Sequence, residues 1–368
     1  MTYNWQQKDW PNFRFETRRL ESQIAEFAEK TGRISGMLAG LSPEAVLSAE
    51  IGFMVAEAVK SSEIEGEYLS RQDVMSSIQN QFDPSGPHTN VSDARATGIA
   101  QLIVQLRDTF REPLSAEQLF EWHQLLLPYA RMKTGAWRTH SDPMQVVSGR
   151  HGRMTVHFEA PPSAVVPDEM KRFISWFNTS APNNSDMYNA PIRAAIAHLY
   201  FETIHPFEDG NGRIGRAIAE KALFQGIGRI TLISLSEAIE ANKSLYYEAV
   251  KSAQRSNEIT PWIAYFMTTL IQAQSEAEKH IAFLLKKASF YDRFRDRFNE
   301  RQHKVIERMF QAGPLGFDGG MSAQKYVGIT KASKATATRD LQELFDMGAL
   351  AREGEGRNTR YSLKTEPV

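Results

Sequence analysis

His205-Pro206-Phe207-Glu208-Asp209-Gly210-Asn211-Gly212-Arg213-Ile214-Gly215-Arg216 joins two stretches of helical period. Upstream, Ile192, Ile196, Leu199 and Thr203 share one helix face, and Pro191 suits a first helical position. Downstream, Ile214, Ala217, Ile218 and Ala222 lie on one side of a second helix that begins near Asn211. The junction itself has the chemistry of a phosphate site. Gly210 and Gly212 let the backbone approach a ligand closely and adopt positive φ. The following helix offers free N–H groups and the positive end of its dipole to an anion. Arg213 and Arg216, three apart, point to the same side of that helix and can clamp a polyphosphate between two guanidiniums. Asp209 is a hard oxygen ligand of the kind Mg²⁺ takes beside substrate phosphates. His205 closes the first helix, and an imidazole can accept a hydroxyl proton near neutral pH.

Taken one at a time, these residues also read as a capped helix with surface ion pairs and a structural histidine. Taken together, base, metal ligand, anion nest and paired arginines fall within twelve residues. The segment resembles the signature of Fic-domain proteins, HPFxDGNGRxxR, at all nine specified positions. The resemblance extends over roughly Thr109–Met267. It implies transfer of AMP from ATP to a Tyr, Thr or Ser hydroxyl of a target protein. His205 then deprotonates the hydroxyl, and Asp209 holds Mg²⁺ on the phosphates. Gly210, Asn211 and Gly212 cradle the phosphates, Arg213 steadies the transferring group, and Arg216 binds the γ-phosphate. Doc toxins, the kinase-like branch, carry Lys where this chain has Gly212, which disfavours phosphate transfer.

Working outward, Val146–Val156 flanks a turn-like SGRHG and reads as a β-hairpin. It occupies the position of the family's flap, which orients the target, and an exposed strand edge can bind an extended segment through main-chain hydrogen bonds. Tyr246 and Tyr247 resemble the family's nucleotide-side aromatics, with core packing as the plainer alternative. Some relatives carry Asn seven residues after such a pair, where this chain has Gln254. Upstream, Ser61-Ser62-Glu63-Ile64-Glu65-Gly66 matches the family's inhibitory pattern [S/T]xxxE[G/N] at Ser61, Glu65 and Gly66. Of three Glu-Gly pairs, only Glu65 has Ser or Thr four residues before it. A Glu65–Arg216 ion pair would take the γ-phosphate's partner. The same Glu could instead orient a water for removal of AMP. An ordinary helix end with a Gly cap fits the pattern too.

The rest of the chain is mostly helical by period. Leu20–Phe27, Ala45–Val59, Leu102–Phe110, Ala116–Leu127, Pro167–Phe177, Ser236–Ser252 and Pro261–Phe290 carry amphipathic patterns, and 83–93 reads as a loop. The opening aromatics, Tyr3 to Phe13, resemble the helical extension of one Fic subgroup and are expected to pack. From Gln302, three short helices (Lys304–Phe310, Ala323–Val327, Lys334–Met347) and a hairpin match a winged helix-turn-helix. That tail carries ten positive and eight negative residues. Lys331, Lys334, Arg339, Arg352, Arg357 and Arg360 give duplex DNA a weak footprint. Docking or homodimerisation is the alternative. The expected fold class is all-α, a Fic-type core with a β-hairpin flap and a C-terminal winged helix. The expected domains are 1–93, 94–298 and 299–368.

Composition bounds the rest. The 368 residues hold 43 Lys+Arg against 44 Asp+Glu, which excludes coating nucleic acid or membrane by bulk charge. There is no Cys, so thiol chemistry and Cys-built zinc sites are excluded. No apolar run has the length of a membrane span and the start lacks a secretory pattern, so a cytoplasmic location and no membrane partner are expected. The functions compatible with these limits are an adenylyltransferase braked by Glu65, a de-AMPylating hydrolase, or a DNA-binding regulator whose core senses nucleotide.

Overall fold

The computed structural model describes residues 2–82, 88–148, 155–183, 186–314 and 316–365. It is mostly helical, as expected. The order is α1 (Glu21–Leu38), α2 (Pro43–Ile64), α3 (Arg71–Phe82), α4 (Ala94–Asp108), α5 (Ala116–Leu126), β1 (Gln145–Ser148), β2 (Thr155–Glu159), α6 (Val166–Thr179), α7 (Ala190–Ile204) and α8 (Asn211–Ile227). Then follow α9 (Leu235–Ala241), α10 (Lys243–Ala253), α11 (Thr260–Phe294), α12 (Glu300–Phe310), α13 (Ala323–Thr330), α14 (Lys334–Asp346), β3 (Leu350–Glu353) and β4 (Arg360–Leu363).

By its internal contacts the chain forms two compact units: 1–33 with 47–276, and 34–46 with 277–368. The end of α2 packs into the same body as the helices flanking the His205 loop, because its buried face (Phe53, Met54, Val55, Ala58, Ile64) is apolar. The centre of the first unit is the α7–α8 pair. Nearly every residue of both helices is buried; α7 is apolar nearly all round, as expected of a fully enclosed helix, whereas α8 also buries Arg213, Arg216, Glu220 and Lys221. The opening aromatics pack as expected. The Trp5 indole donates to the Glu159 carbonyl (2.8 Å), and Trp10 meets Tyr200 edge-on at 5.1 Å.

Two departures from the sequence reading have local causes. The segment expected as one helix over Ser236–Ser252 is two, broken at Asn242 (φ −136°, ψ 48°). Asn competes with helix by bonding its own backbone, and apolar period alone does not register such a break. The helix over Arg71–Phe82 was not read at all, since its polar composition gives little periodic signal.

The hairpin pairs antiparallel in register Val146↔Phe158 and Val147↔Val156, with an irregularity between Val146 and Val147. It is a two-stranded sheet. Val146, Val147 and Val156 are exposed on it. Its tip, 149–154, lies outside the described residues, as does the start of the expected loop, 83–87.

In the second unit, α12, α13, α14 and the β3–β4 hairpin enclose a core that includes Ile306, Phe310, Tyr326, Leu341 and Leu344. Buried Asp340 ties the three helices. It accepts from Arg301 (2.8 Å) on α12 and from the Tyr326 hydroxyl (2.7 Å) on α13. Among the described residues no helix is long and apolar enough to cross a membrane.

Candidate active site

The loop after α7 begins with a left-handed residue. His205 caps the helix at φ 50°, ψ 60°, a region that costs a β-carbon-bearing residue about 1–2 kcal/mol. The loop closes on itself through Asn211. Its amide donates to the Phe207 carbonyl (2.8 Å), and its oxygen accepts the Phe207 N–H (3.0 Å). The Asn211 side chain is thus spent on shape, and only its backbone can face an anion. Gly210 sits at φ 82° and hands the chain to α8, whose first N–H groups have no intrahelical acceptor. Asp209 accepts the Gly210 N–H at 2.6 Å, and its side chain remains more than half exposed.

The His205 side chain is only 14% exposed. Burial first, then the charge of Arg138, push its imidazole down to about 4. The ring is therefore neutral at physiological pH and able to accept a proton. Its Nδ1 is buried without a hydrogen bond of good geometry and lies 3.9 Å from Glu202 Oε2.

Both motif arginines point into the interior and are already engaged. Arg216 is 1% exposed, and its Nη1 stands 2.8 Å from Glu65 Oε1. Its Nε donates to Ser61 Oγ (3.0 Å) and its Nη2 to the Ser61 carbonyl (2.8 Å). Although burial opposes its charge, Glu65 and Tyr246 hold Arg216 above its ordinary value. Arg213 is met by Glu67 Oε2 at 2.6 Å. Glu67 was missed in the sequence, because the inhibitory pattern stops at Gly66.

A single cap explains how two carboxylates reach two arginines. Gly66 takes φ 82°, its N–H donates to the Glu63 carbonyl, and the Glu67 N–H donates to the Ser62 carbonyl (2.9 Å). This is the Schellman pattern, which folds the chain back over the helix end. The Tyr247 hydroxyl donates to the Ile64 carbonyl at 3.1 Å and holds the same end from α10. Gly212 is what lets Glu65 in. A β-carbon there would lie 2.1 Å from Glu65 Oε1.

Ser61 and Glu65 thus meet Arg216, Glu65 also meets Gly212, and Gly66 forms the cap that turns the chain there. Tyr246 and Tyr247 part company. Tyr247 is partly exposed over the end of α2. Tyr246 is 3% exposed and hydrogen-bonds His198 Nε2 at 2.8 Å, which is a core position. Gln254 is also internal, donating to the Glu202 carbonyl at 3.3 Å. Buried Glu202 is a further residue the sequence did not single out. Burial, then the Glu65 charge, raise its carboxyl to about 8.

A magnesium ion fits Asp209 in one respect. A lone exposed carboxylate beside an anion nest suits an ion that takes most of its ligands from water and substrate phosphates. Among the described residues no cluster of three His or acidic side chains offers a protein-only cage.

Residues 113–223 match the Fic/DOC family, and residues 3–83 match a domain of unknown function, DUF4172. The chain carries a Fic/DOC domain. A probable protein adenylyltransferase of Aquifex aeolicus is 30% identical over 97 residues, 26% of this chain and 27% of that protein. The protein adenylyltransferase Fic of Drosophila mojavensis is 29% identical over 130 residues, 34% of this chain and 24% of that protein. The match thus spans about a quarter of the length of these curated relatives. Among solved structures, a Fic family protein from Desulfovibrio desulfuricans superposes with TM-score 0.57 at 20% identity, covering 97% of this chain and 99% of that one. Fic-1 from C. elegans gives 0.51 at 17%, covering 71% and 74%. These likenesses establish the fold.

Proposed function

We propose that this protein transfers AMP from ATP to a Tyr, Thr or Ser hydroxyl of a protein target or of itself, and that the end of α2 holds it idle. One observation carries the reading: two buried guanidiniums and a neutral buried imidazole converge on one glycine loop at a helix N-terminus. A triphosphate would take the places of Glu65 and Glu67 on Arg216 and Arg213 and bring negative charge to the free N–H groups of α8. His205 then accepts the proton of the incoming hydroxyl as its oxygen bonds the α-phosphorus and the bond to pyrophosphate breaks. Holding both partners in line is the larger part of such catalysis. Asp209 would hold Mg²⁺, which supplies charge neutralisation on the phosphates. The exposed edges of β1 and β2 would receive the target backbone.

Glu65 stands where the terminal phosphate would need Arg216, and Gly212 provides the space it fills. Glu65→Gly is expected to raise self-modification strongly, and His205→Ala to abolish it. Intact mass after incubation with ATP and magnesium reads both. A gain of adenylyl groups by the Glu65→Gly protein supports transfer, whereas a gain no larger than in wild type removes the brake. A second reading has one observation in its favour. Glu65 reaches into the cradle itself, where a carboxylate could direct water at an AMP-modified side chain. Loss of AMP from a pre-modified protein, dependent on Glu65, would mark that activity. For the tail we propose the winged-helix plan, with Lys334, Thr338 and Arg339 on the exposed face of α14.

A further inference from the structure

Arg138 lies in the segment that leads into β1, and it is 2% exposed. Its Nε donates to the His205 carbonyl at 2.8 Å, and its Nη2 reaches the Ile204 carbonyl at 3.3 Å. Its own backbone N–H donates to the Pro206 carbonyl at 2.9 Å. The same guanidinium turns the other way as well. Nη2 donates to the Pro161 carbonyl (2.5 Å) and Nη1 to Ser163 Oγ (2.8 Å), just past β2. At that point the hairpin root is closed by the Ala160 N–H on the Met144 carbonyl (2.9 Å). One residue therefore grips three consecutive carbonyls of the left-handed corner, two through its guanidinium and one through its backbone N–H, and its guanidinium also holds the base of the hairpin.

We propose that Arg138 is a positioning residue of the site: it fixes the corner that aims the His205 ring and sets that ring's distance from the hairpin edge. The proposal rests on the transfer reading above, in which the hairpin presents the target. His140 makes a second tie, to Glu208 in the loop (3.1 Å) and to Ser163 Oγ (3.3 Å), but it does not touch the left-handed corner itself. A left-handed histidine is a strained corner and persists only where its surroundings hold it. Five donors in a planar fork can bind several carbonyls at once, which a lysine ammonium on a flexible stem does not reproduce. Arg138 also acts by charge. The groups facing His205 are Glu202 on its own helix, Glu65 from the end of α2, Asp209 in the loop, and Arg138. Glu65 and Asp209 by their charge, and Glu202 through its backbone carbonyl, favour the imidazolium, and Arg138 favours the neutral base.

The test places Arg138→Gln and Arg138→Lys in the full-length Glu65→Gly protein. The first readout is the rate of AMP transfer against ATP concentration. The second is the His205 imidazole titration by NMR, assigned through His205→Ala. Misplacing a base by an ångström costs about 100-fold, so both variants are expected to lose that much in kcat with KM for ATP unchanged. Gln should raise the His205 titration toward the ordinary histidine value, and Lys should leave it low. Parental kcat in either variant, or a His205 titration unmoved in folded Arg138→Gln, overturns the proposal. Should Arg138→Gln not fold, Arg138→Lys decides by the same split between kcat and KM. Should the Glu65→Gly parent transfer no AMP at all, the functional reading fails, while the NMR titration still decides whether Arg138 governs the ring.

Discussion

Glu65 and Glu67 are two residues apart and neutralise two different arginines. On the proposed reading, the idle state depends on both. Removing Glu65 frees Arg216 and leaves Arg213 held by Glu67 at 2.6 Å. Charge-assisted hydrogen bonds contribute about 1.5–3 kcal/mol, and 1.4 kcal/mol is about tenfold in affinity. Adding Glu67→Gln to Glu65→Gly should therefore lower the KM for ATP about tenfold further. Titrating ATP in the self-labelling reaction compares the two proteins, and identical KM values would show that Glu67 is a bystander. His205 and Asp209 were readable from residue type and spacing. Glu67 and Arg138 were not, because nothing in their neighbours marks them. Each acquires its role only from a partner more than sixty positions away.

At the scale of elements, the end of α2 is, on the transfer reading proposed above, the part that moves for a triphosphate to enter. Gly66 sets its cost of staying. No atom stands within 4 Å of where its β-carbon would be, so Gly66→Ala is opposed only by φ 82°. That conformation costs a non-glycine residue about 1–2 kcal/mol. The cap should loosen accordingly. Basal self-labelling is expected to rise by up to about tenfold. Calorimetry should show a slightly lower melting temperature. Unchanged labelling with a lowered melting temperature would mean that the cap stabilises the fold without gating the site. The helices and the hairpin were largely visible as period and turn chemistry. The break at Asn242 and the whole of α3 were not, since a single poor helix former and a mostly polar helix leave little mark on the apolar period.

For the whole molecule, pH should reveal how much buried charge the fold tolerates. Burial first holds His123, His198 and His205 at about 4, and raises Glu202 and Glu220 to about 8. Between 4.5 and 6.5 the unfolded chain binds protons on three histidines, while the folded chain keeps two on carboxyls. Stability then rises with pH. Between 6.5 and 8 the unfolded chain loses its remaining histidine protons and holds almost none on these carboxyls, while the folded chain still holds most of the two carboxyl protons. Stability then falls as pH rises. A maximum near 6.5 is expected from these groups, and a melting temperature that climbed steadily to pH 8 would contradict the assignment. The sequence by itself determined the helical class, the hairpin and the glycine loop between α7 and α8, because these depend on residues near one another in the chain. Which carboxylates occupy the arginines, which tyrosine is buried, and what braces the histidine were decided only in three dimensions. Pairing across long loops depends on packing and desolvation, and neither leaves a periodic mark on the chain.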